Sequence, residues 1–221
     1  MKKLIHITES QLSSLITEMA YPTSFNFDEF RQIRTFAERV RYCDARLVKL
    51  SAGSSRIVYK VDEDKVLKLA KNSKGLAQNQ VEIRLGTEPY YTCFAEVYEY
   101  DENGLWVEMQ ICTKAKASDF KAIYGVPFDA LRCAMYDMCG CRFNPFSDFR
   151  PIVQEIWDGE ENDTQDFFNS VHEYIAGENL SSPGDLLRLS SWGITFEGYF
   201  ILIDYGLNDD VFDTYYAKRR R

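Results

Sequence analysis

Apolar positions change their period along the chain, and the changes divide it. In "MKKLIHITESQLSSLITEMA", Leu12, Leu15, Ile16 and Met19 recur at helical spacing after Thr8, a good N-cap. Tyr21-Pro22 closes the segment, which predicts a leader helix over residues 1–22. A second helix is expected from Phe27 to Tyr42, with Phe30, Ile33, Phe36, Ala37 and Val40 along one face. The period then falls to two: "RIVYKVDEDKVLKLA" alternates at Val58 and Val61, turns through Asp62-Glu63-Asp64 and resumes from Val66 to Leu69, predicting a hairpin. Helical spacing returns from Leu76 to Leu85. "FAEVYEY" and "LWVEMQI" then flank the turn-forming Asp101-Glu102-Asn103-Gly104 as two further strands.

From Ala117 onward the spacing is mostly helical, over Ala117 to Tyr124, Phe128 to Met138, Pro151 to Trp157 and Thr164 to Ile175. The last of these carries Phe167, Phe168, Val171 and Ile175 on one face, and the acidic "DGEENDT" before it places favourable charge at its N-terminus. Two short strand runs follow, "WGIT" and "YFILI". The expected class is therefore α+β. The expected division is a leader at 1–22, an N-terminal lobe of helix and antiparallel sheet at 23–111, and a helical C-terminal lobe with a late β-hairpin at 112–221.

At 221 residues and 45% hydrophobic the chain has enough apolar surface for a substantial core. A formal net charge of -8 argues against generic affinity for nucleic acid or an anionic membrane, because both need clustered cations. The basic run Lys218 to Arg221 reads as a solvated tail, and Tyr90, Tyr91, Phe94, Tyr98, Tyr215 and Tyr216 read as packing residues rather than a stacking surface. With no signal peptide or membrane-length apolar run, the six cysteines read as reduced thiols in a cytoplasm. Cys139-Gly140-Cys141 has neither a second ligand pair nor a nearby histidine to make a zinc site.

Chemistry enters at three places. Lys68 stands mid-strand between Leu67 and Leu69, and burying it unpaired costs several kcal/mol, so it either faces solvent or meets an anion. Glu82 on the following helix is the natural partner, with Gln78 one turn earlier. Small residues from Ser51 to Ser55 let backbone N–H groups approach a phosphate. Asp204 follows the apolar "YFILI" and precedes Tyr205-Gly206, so it is either a carboxylate delivered to a site or a strand-end turn cap.

Together these residues and the order of elements resemble the protein kinase-like fold. "SAGSSRIV" resembles the G-x-G-x-x-G-x-V loop, with Gly53 and Val58 matching and Ser51 and Arg56 replacing the outer glycines. Lys68 then falls where kinases grip phosphates, Glu82 at its ion partner, and Glu108, Met109 and Gln110 at the adenine hinge. "PGDLLRLSSWGI" resembles the catalytic loop with Asp185 as general base, and "IDYGL" resembles D-F-G with Asp204 as the Mg²⁺ ligand, 19 residues later. The resemblance implies ATP and Mg²⁺ as cofactors: Gly53, Ser54, Ser55, Lys68, Glu82, Glu108 and Met109 on nucleotide, Asp185 and Lys68 in catalysis, Asp204 and Ser191 on metal.

The sequence also departs from the pattern. Pro183-Gly184 stands where His-Arg would precede Asp185, and the metal-binding asparagine falls on Ser190 counted from Asp185 or Ser191 counted back from Asp204. Only 17 residues follow Asp204, without A-P-E, so the usual peptide-substrate platform is not expected. The chain is most similar to small, divergent kinase-like proteins predicted in tailed bacteriophages, and "ITESQLSSLI" is similar to leader helices of tailed-phage proteins. That resemblance implies a nucleotide-binding protein acting as a Mg²⁺-dependent phosphotransferase on a non-peptide or unusual acceptor. The alternatives are a catalytically inactive pseudokinase serving as a binding module, or a phage structural or cargo protein on an inherited scaffold. The expected location is a host cytoplasm or virion, and the leader helix is the candidate docking point for a protein partner.

Overall fold

Antiparallel pairing organises the first half of the molecule. The computed structural model describes residues 24–87 and 93–217, so the expected leader helix, the basic tail, Tyr90 and Tyr91 lie outside the described residues. Strands β1 (Val48–Ala52), β2 (Arg56–Lys60), β3 (Lys65–Ala70), β4 (Val97–Tyr100) and β5 (Trp106–Gln110) pair in the order β1-β2-β3-β5-β4. Every neighbour pair is antiparallel.

Period-two alternation sends β3 side chains to opposite faces. Leu67 and Leu69 join Ile57, Tyr59 and Trp106 in a core under helices α1 (Phe27–Gln32) and α2 (Phe36–Asp44). Phe27 and Phe30 of α1 meet the Trp106 ring edge-on at 5.1 and 5.6 Å. The other face, with Val66, Val107 and Met109, looks toward helix α3 (Ser73–Gly86), whose N-cap Asn72 accepts from Lys74 N at 3.1 Å and Gly75 N at 3.3 Å.

Two expectations need correction here. The single helix from Phe27 to Tyr42 is two helices: Ile33 is extended (ψ 123°), and Thr35 restarts the chain by accepting from Glu38 N while its hydroxyl donates to the Glu38 carboxylate at 2.6 Å. After the break Phe36 and Ala37 are exposed, and Arg39 is buried instead. The hairpin also has an added edge strand, β1, whose five residues are all exposed although Val48 and Leu50 alternate with Lys49 and Ser51.

The second half carries helices α4 (Ala117–Tyr124), α5 (Phe128–Met138), α6 (Arg150–Asp158) and α7 (Asp163–Gly177). A small sheet follows, β6 (Thr113–Lys114) with β7 (Trp192–Ile194) and β8 (Phe200–Leu202), and then helix α8 (Asp209–Tyr215). The β7–β8 hairpin packs Trp192 and Phe200 against each other at 5.2 Å and against Phe167 of α7. Leu202 also exchanges backbone hydrogen bonds with the segment before β4: its N–H donates to Cys93 O at 2.7 Å, and its carbonyl accepts from Ala95 N at 2.8 Å. One hydrophobic cluster therefore runs from Val66 and Met109 through Phe94 to Phe168, Trp192 and Leu202.

An antiparallel sheet with a helix between β3 and β4, followed by a helical region holding a late hairpin, is the α+β order of the protein kinase-like fold. All six cysteines are free thiols. No helix among the described residues is long and apolar enough to cross a membrane.

Candidate functional site

Register decides which side chains meet. Lys68 of β3 pairs with Val58 on one side and Val107 on the other, and Arg56 pairs with Ala70, so Arg56, Val58 and Lys68 share the sheet face turned to α3. Glu82 comes down from α3 onto that face, fully buried. Lys68 Nζ donates to both Glu82 oxygens, at 3.0 and 2.9 Å, and to the carbonyl of Ile203 at 2.8 Å. The last bond brings β3 against the residue just before Asp204.

Arg56 completes the group. Its guanidinium, 9% exposed, contacts the Glu82 carboxylate at 2.7 Å and reaches Asp204 Oδ1 directly, while Nη1 donates to Asn79 Oδ1 at 3.5 Å. Burial opposes its charge, but Glu82 and then Asp204 more than offset it and hold the guanidinium above its already high pKa. For Lys68 burial prevails: it lowers the pKa, Glu82 pulls the other way, and Arg56 adds to the fall. At Asp204 burial again opposes the charge, and Arg56 followed by Lys68 holds the carboxyl below its usual value, although half of the side chain's area remains open to solvent. Two cations face two anions, so the group is neutral in sum.

The Asp204-Tyr205-Gly206 segment is fixed by packing on α3. Tyr205 is buried, stacks on Phe94 at 4.4 Å and donates its hydroxyl to Ala95 O at 2.8 Å. A Cβ at Gly206 would lie 2.6 Å from Gln78 O, and one at Gly86 would lie 2.3 Å from the Tyr205 hydroxyl, so these two glycines allow the close approach.

Asp185 stands elsewhere. It lies in a 3₁₀ turn, Gly184–Leu187, and its carboxylate pairs with Arg188 at 3.0 Å. Its link to Asp204 runs through Ser191, whose hydroxyl donates to Asp185 O at 2.9 Å and whose carbonyl accepts from Asp204 N at 3.3 Å. Asp185 borders a cavity of about 190 Å³ with Asn208 and Asp213. Larger hollows of about 480 and 780 Å³ lie among α5, α6 and α7 and beside α1 and α2, and none of the three is lined by Lys68, Glu82 or Asp204.

No protein-family model matches the chain, and no curated protein matches it. Solved structures do align. The streptomycin–ATP ternary complex of APH(2'')-IIa is 12% identical with a TM-score of 0.37, over 79% of this chain and 72% of that one. ADP-bound aminoglycoside phosphotransferase APH(2'')-Ib is 13% identical with a TM-score of 0.35, over 78% and 71%. The GDP complex of aminoglycoside 2'-phosphotransferase-IIIa is 14% identical with a TM-score of 0.33, over 90% and 73%. At such scores the fold is carried by the strand order and helix placement described above.

The remaining predicted positions divide. Ser55 is buried, its hydroxyl donating to Gln78 at 2.7 Å and its carbonyl accepting from Lys71 N at 2.7 Å. The carbonyls of Gly53 and Ser54 accept from Lys71 Nζ and Asn72 Nδ2, each at 2.9 Å, so the small-residue loop is tied to the entry of α3. Glu108 and Met109, expected at the hinge, lie inside β5, between Leu67 and Glu99 and between Val66 and Val97, with strands paired on both sides. Past β5 the Ile111 N–H is also taken, by Asp64 O at 2.8 Å, so an N–H free to meet a base can begin only past Ile111.

The residues expected to hold metal, Asp204 and Ser191, are both engaged within the chain. In nucleotide sites Mg²⁺ is held by one or two carboxylates together with phosphate oxygens and water, so the state of the expected carboxylate decides. The Asp204 carboxylate is held by Arg56, and the Ser191 hydroxyl is directed at a backbone carbonyl. Among the described residues no three histidine, cysteine or acidic side chains converge as metal ligands. With its one expected carboxylate taken by the Arg56 guanidinium, this donor set does not fit Mg²⁺.

Proposed function

We propose that the chain is a kinase-like nucleotide-binding protein that binds without turning over, a pseudokinase. The observation that supports nucleotide binding is the buried Lys68–Glu82 pair with Lys68 also on Ile203 O, which sets a lysine against the Asp204 segment. Phosphate oxygens would be met by Lys68 and Arg56, and the nucleoside would lie beyond the end of β5. The Asp204 carboxylate held by Arg56, and a serine in place of an asparagine, speak for binding over phosphoryl transfer. A phosphotransferase reading has one observation in its favour: Asp185 borders a cavity where an acceptor hydroxyl could sit.

Thermal unfolding with and without millimolar ATP tests the binding reading, with Lys68→Met as control. Ligand at about 100 times its Kd stabilises the folded state by about 2.7 kcal/mol. For a chain of this size that is a rise of about 5–10 °C in Tm. The expected result is a rise in wild type that Lys68→Met loses; no rise in wild type, with or without Mg²⁺, sinks the reading.

A further inference from the structure

Arg56 is the residue that the kinase resemblance does not explain. It occupies the last glycine position of the loop motif, where the resemblance implies no side chain, yet its guanidinium is buried and holds both Glu82 and Asp204. We infer that Arg56 stands in the place of a divalent cation, so that this site keeps its charge balance and holds its ligand without metal. The nature of the ligand rests on the nucleotide reading; the substitution of guanidinium for metal does not.

Three observations carry the inference. The first is position: the β2–β3 register fixes Arg56 on the same sheet face as Lys68, so its reach to Asp204 is set by the fold rather than by a loose surface side chain. The second is charge. A guanidinium is never deprotonated in a protein, so Asp204 meets a permanent cation, whereas a bound metal comes and goes with its concentration. The third is balance. Lys68 and Arg56 already offset Glu82 and Asp204, and a dication on Asp204 would stand beside two buried monocations with one remaining carboxylate between them.

Arg56 then has a defined effect on metal binding: removing it should expose a latent cation site at Asp204. The test is Mn²⁺ binding followed by electron paramagnetic resonance, without nucleotide, on wild type, Asp204→Asn, Arg56→Ala and Arg56→Met, and on Arg56→Ala combined with Asp204→Asn. The expected result is that wild type and Asp204→Asn bind Mn²⁺ alike. A folded Arg56 variant should bind it at least about ten-fold more tightly, and the double variant should lose that gain.

Two results overturn the inference: wild-type Mn²⁺ binding that Asp204→Asn abolishes, or no gain in a folded Arg56 variant. Melting curves identify the folded variants, and the comparison of wild type with Asp204→Asn decides even if neither Arg56 variant folds. In the same samples nucleotide affinity is measured with EDTA and with Mg²⁺. A wild-type affinity that rises ten-fold with Mg²⁺ also overturns the inference, whereas absent nucleotide binding with the expected Mn²⁺ pattern sinks only the nucleotide reading.

Discussion

Lys68, Arg56 and Glu82 stand on two interior strands and a 14-residue helix, whereas Asp185 and Ser191 stand in consecutive 3₁₀ turns and Asp204 follows a three-residue strand. The side chains of the first set are at most 9% exposed; those of Asp185 and Asp204 are 31% and 50% exposed. The two sides of one site therefore differ in what happens when a partner is lost. On the buried side a stranded charge has no water to turn to, while on the open side solvent replaces the partner at little cost.

The sharpest way to break this contrast is Glu82→Ala. It leaves Lys68 and Arg56 buried with only Asp204 between them, and a stranded buried charge costs about 3–5 kcal/mol. Urea unfolding should show that loss. A loss below about 1 kcal/mol would mean that water reaches the group and that the two sides do not differ.

Gly206→Ala asks whether the segment after Asp204 belongs to the rigid side. The added methyl would press on Gln78 O, a backbone atom of α3 that cannot swing away. Overpacking of this kind costs about 1–3 kcal/mol. A stability loss within that range, read by urea unfolding, places Tyr205-Gly206 with α3; an unchanged midpoint would show that the segment gives way.

The contrast also explains what could be read from the sequence. Lys68 and Glu82 were legible because a lysine between two leucines in a strand needs an anion, and the next helix offers one. Arg56 was missed because it sits at the end of a Gly-Ser-Ser turn, where it reads as a lost glycine. The signal was present in the register: the Asp62-Glu63-Asp64 turn sets Lys60 opposite Val66, which puts Arg56 on the Lys68 face. The break after Gln32 likewise had a signal in Thr35, an N-cap with Glu38 three residues on, inside an apparently continuous helical period. Strand β1 had a signal too, Val48 and Leu50 alternating with Lys49 and Ser51, though the strand buries neither face, and the end of β5 at Gln110 is a boundary that composition alone does not show. On the open side Asp185 was legible as a residue but not as an Arg188 partner, because turn conformation decides that pairing.

Acid titration sharpens the contrast further. Asp204 unfolded titrates near 3.8 and folded lies lower, so as pH falls the unfolded chain takes up its proton first. Its contribution is full above that unfolded value and is lost as pH drops through the lower folded one. Wild type should therefore lose stability more steeply than Asp204→Asn below about pH 4, by less than one proton's worth of slope, in urea unfolding followed from pH 5 to pH 2. Parallel profiles would mean that Arg56 does not hold the Asp204 carboxylate.

The smallest effect belongs to Asp185→Asn. Its pair with Arg188 joins positions three residues apart in a 3₁₀ turn, the arginine is 70% exposed, and exposed pairs of this kind contribute about 0–1 kcal/mol. The backbone bond from the Ser191 hydroxyl to Asp185 O survives the substitution, so the loop should keep its shape. Unfolding should shift by less than about 1 kcal/mol. ATP binding should be unchanged as well, because the Asp185 carboxylate has no contact with the Lys68 group. A variant that unfolded as readily as Glu82→Ala would show that Asp185 carries structural weight beyond its pair with Arg188, and the division between a buried, charge-locked side and an open one would fail at the residue that defines the open side.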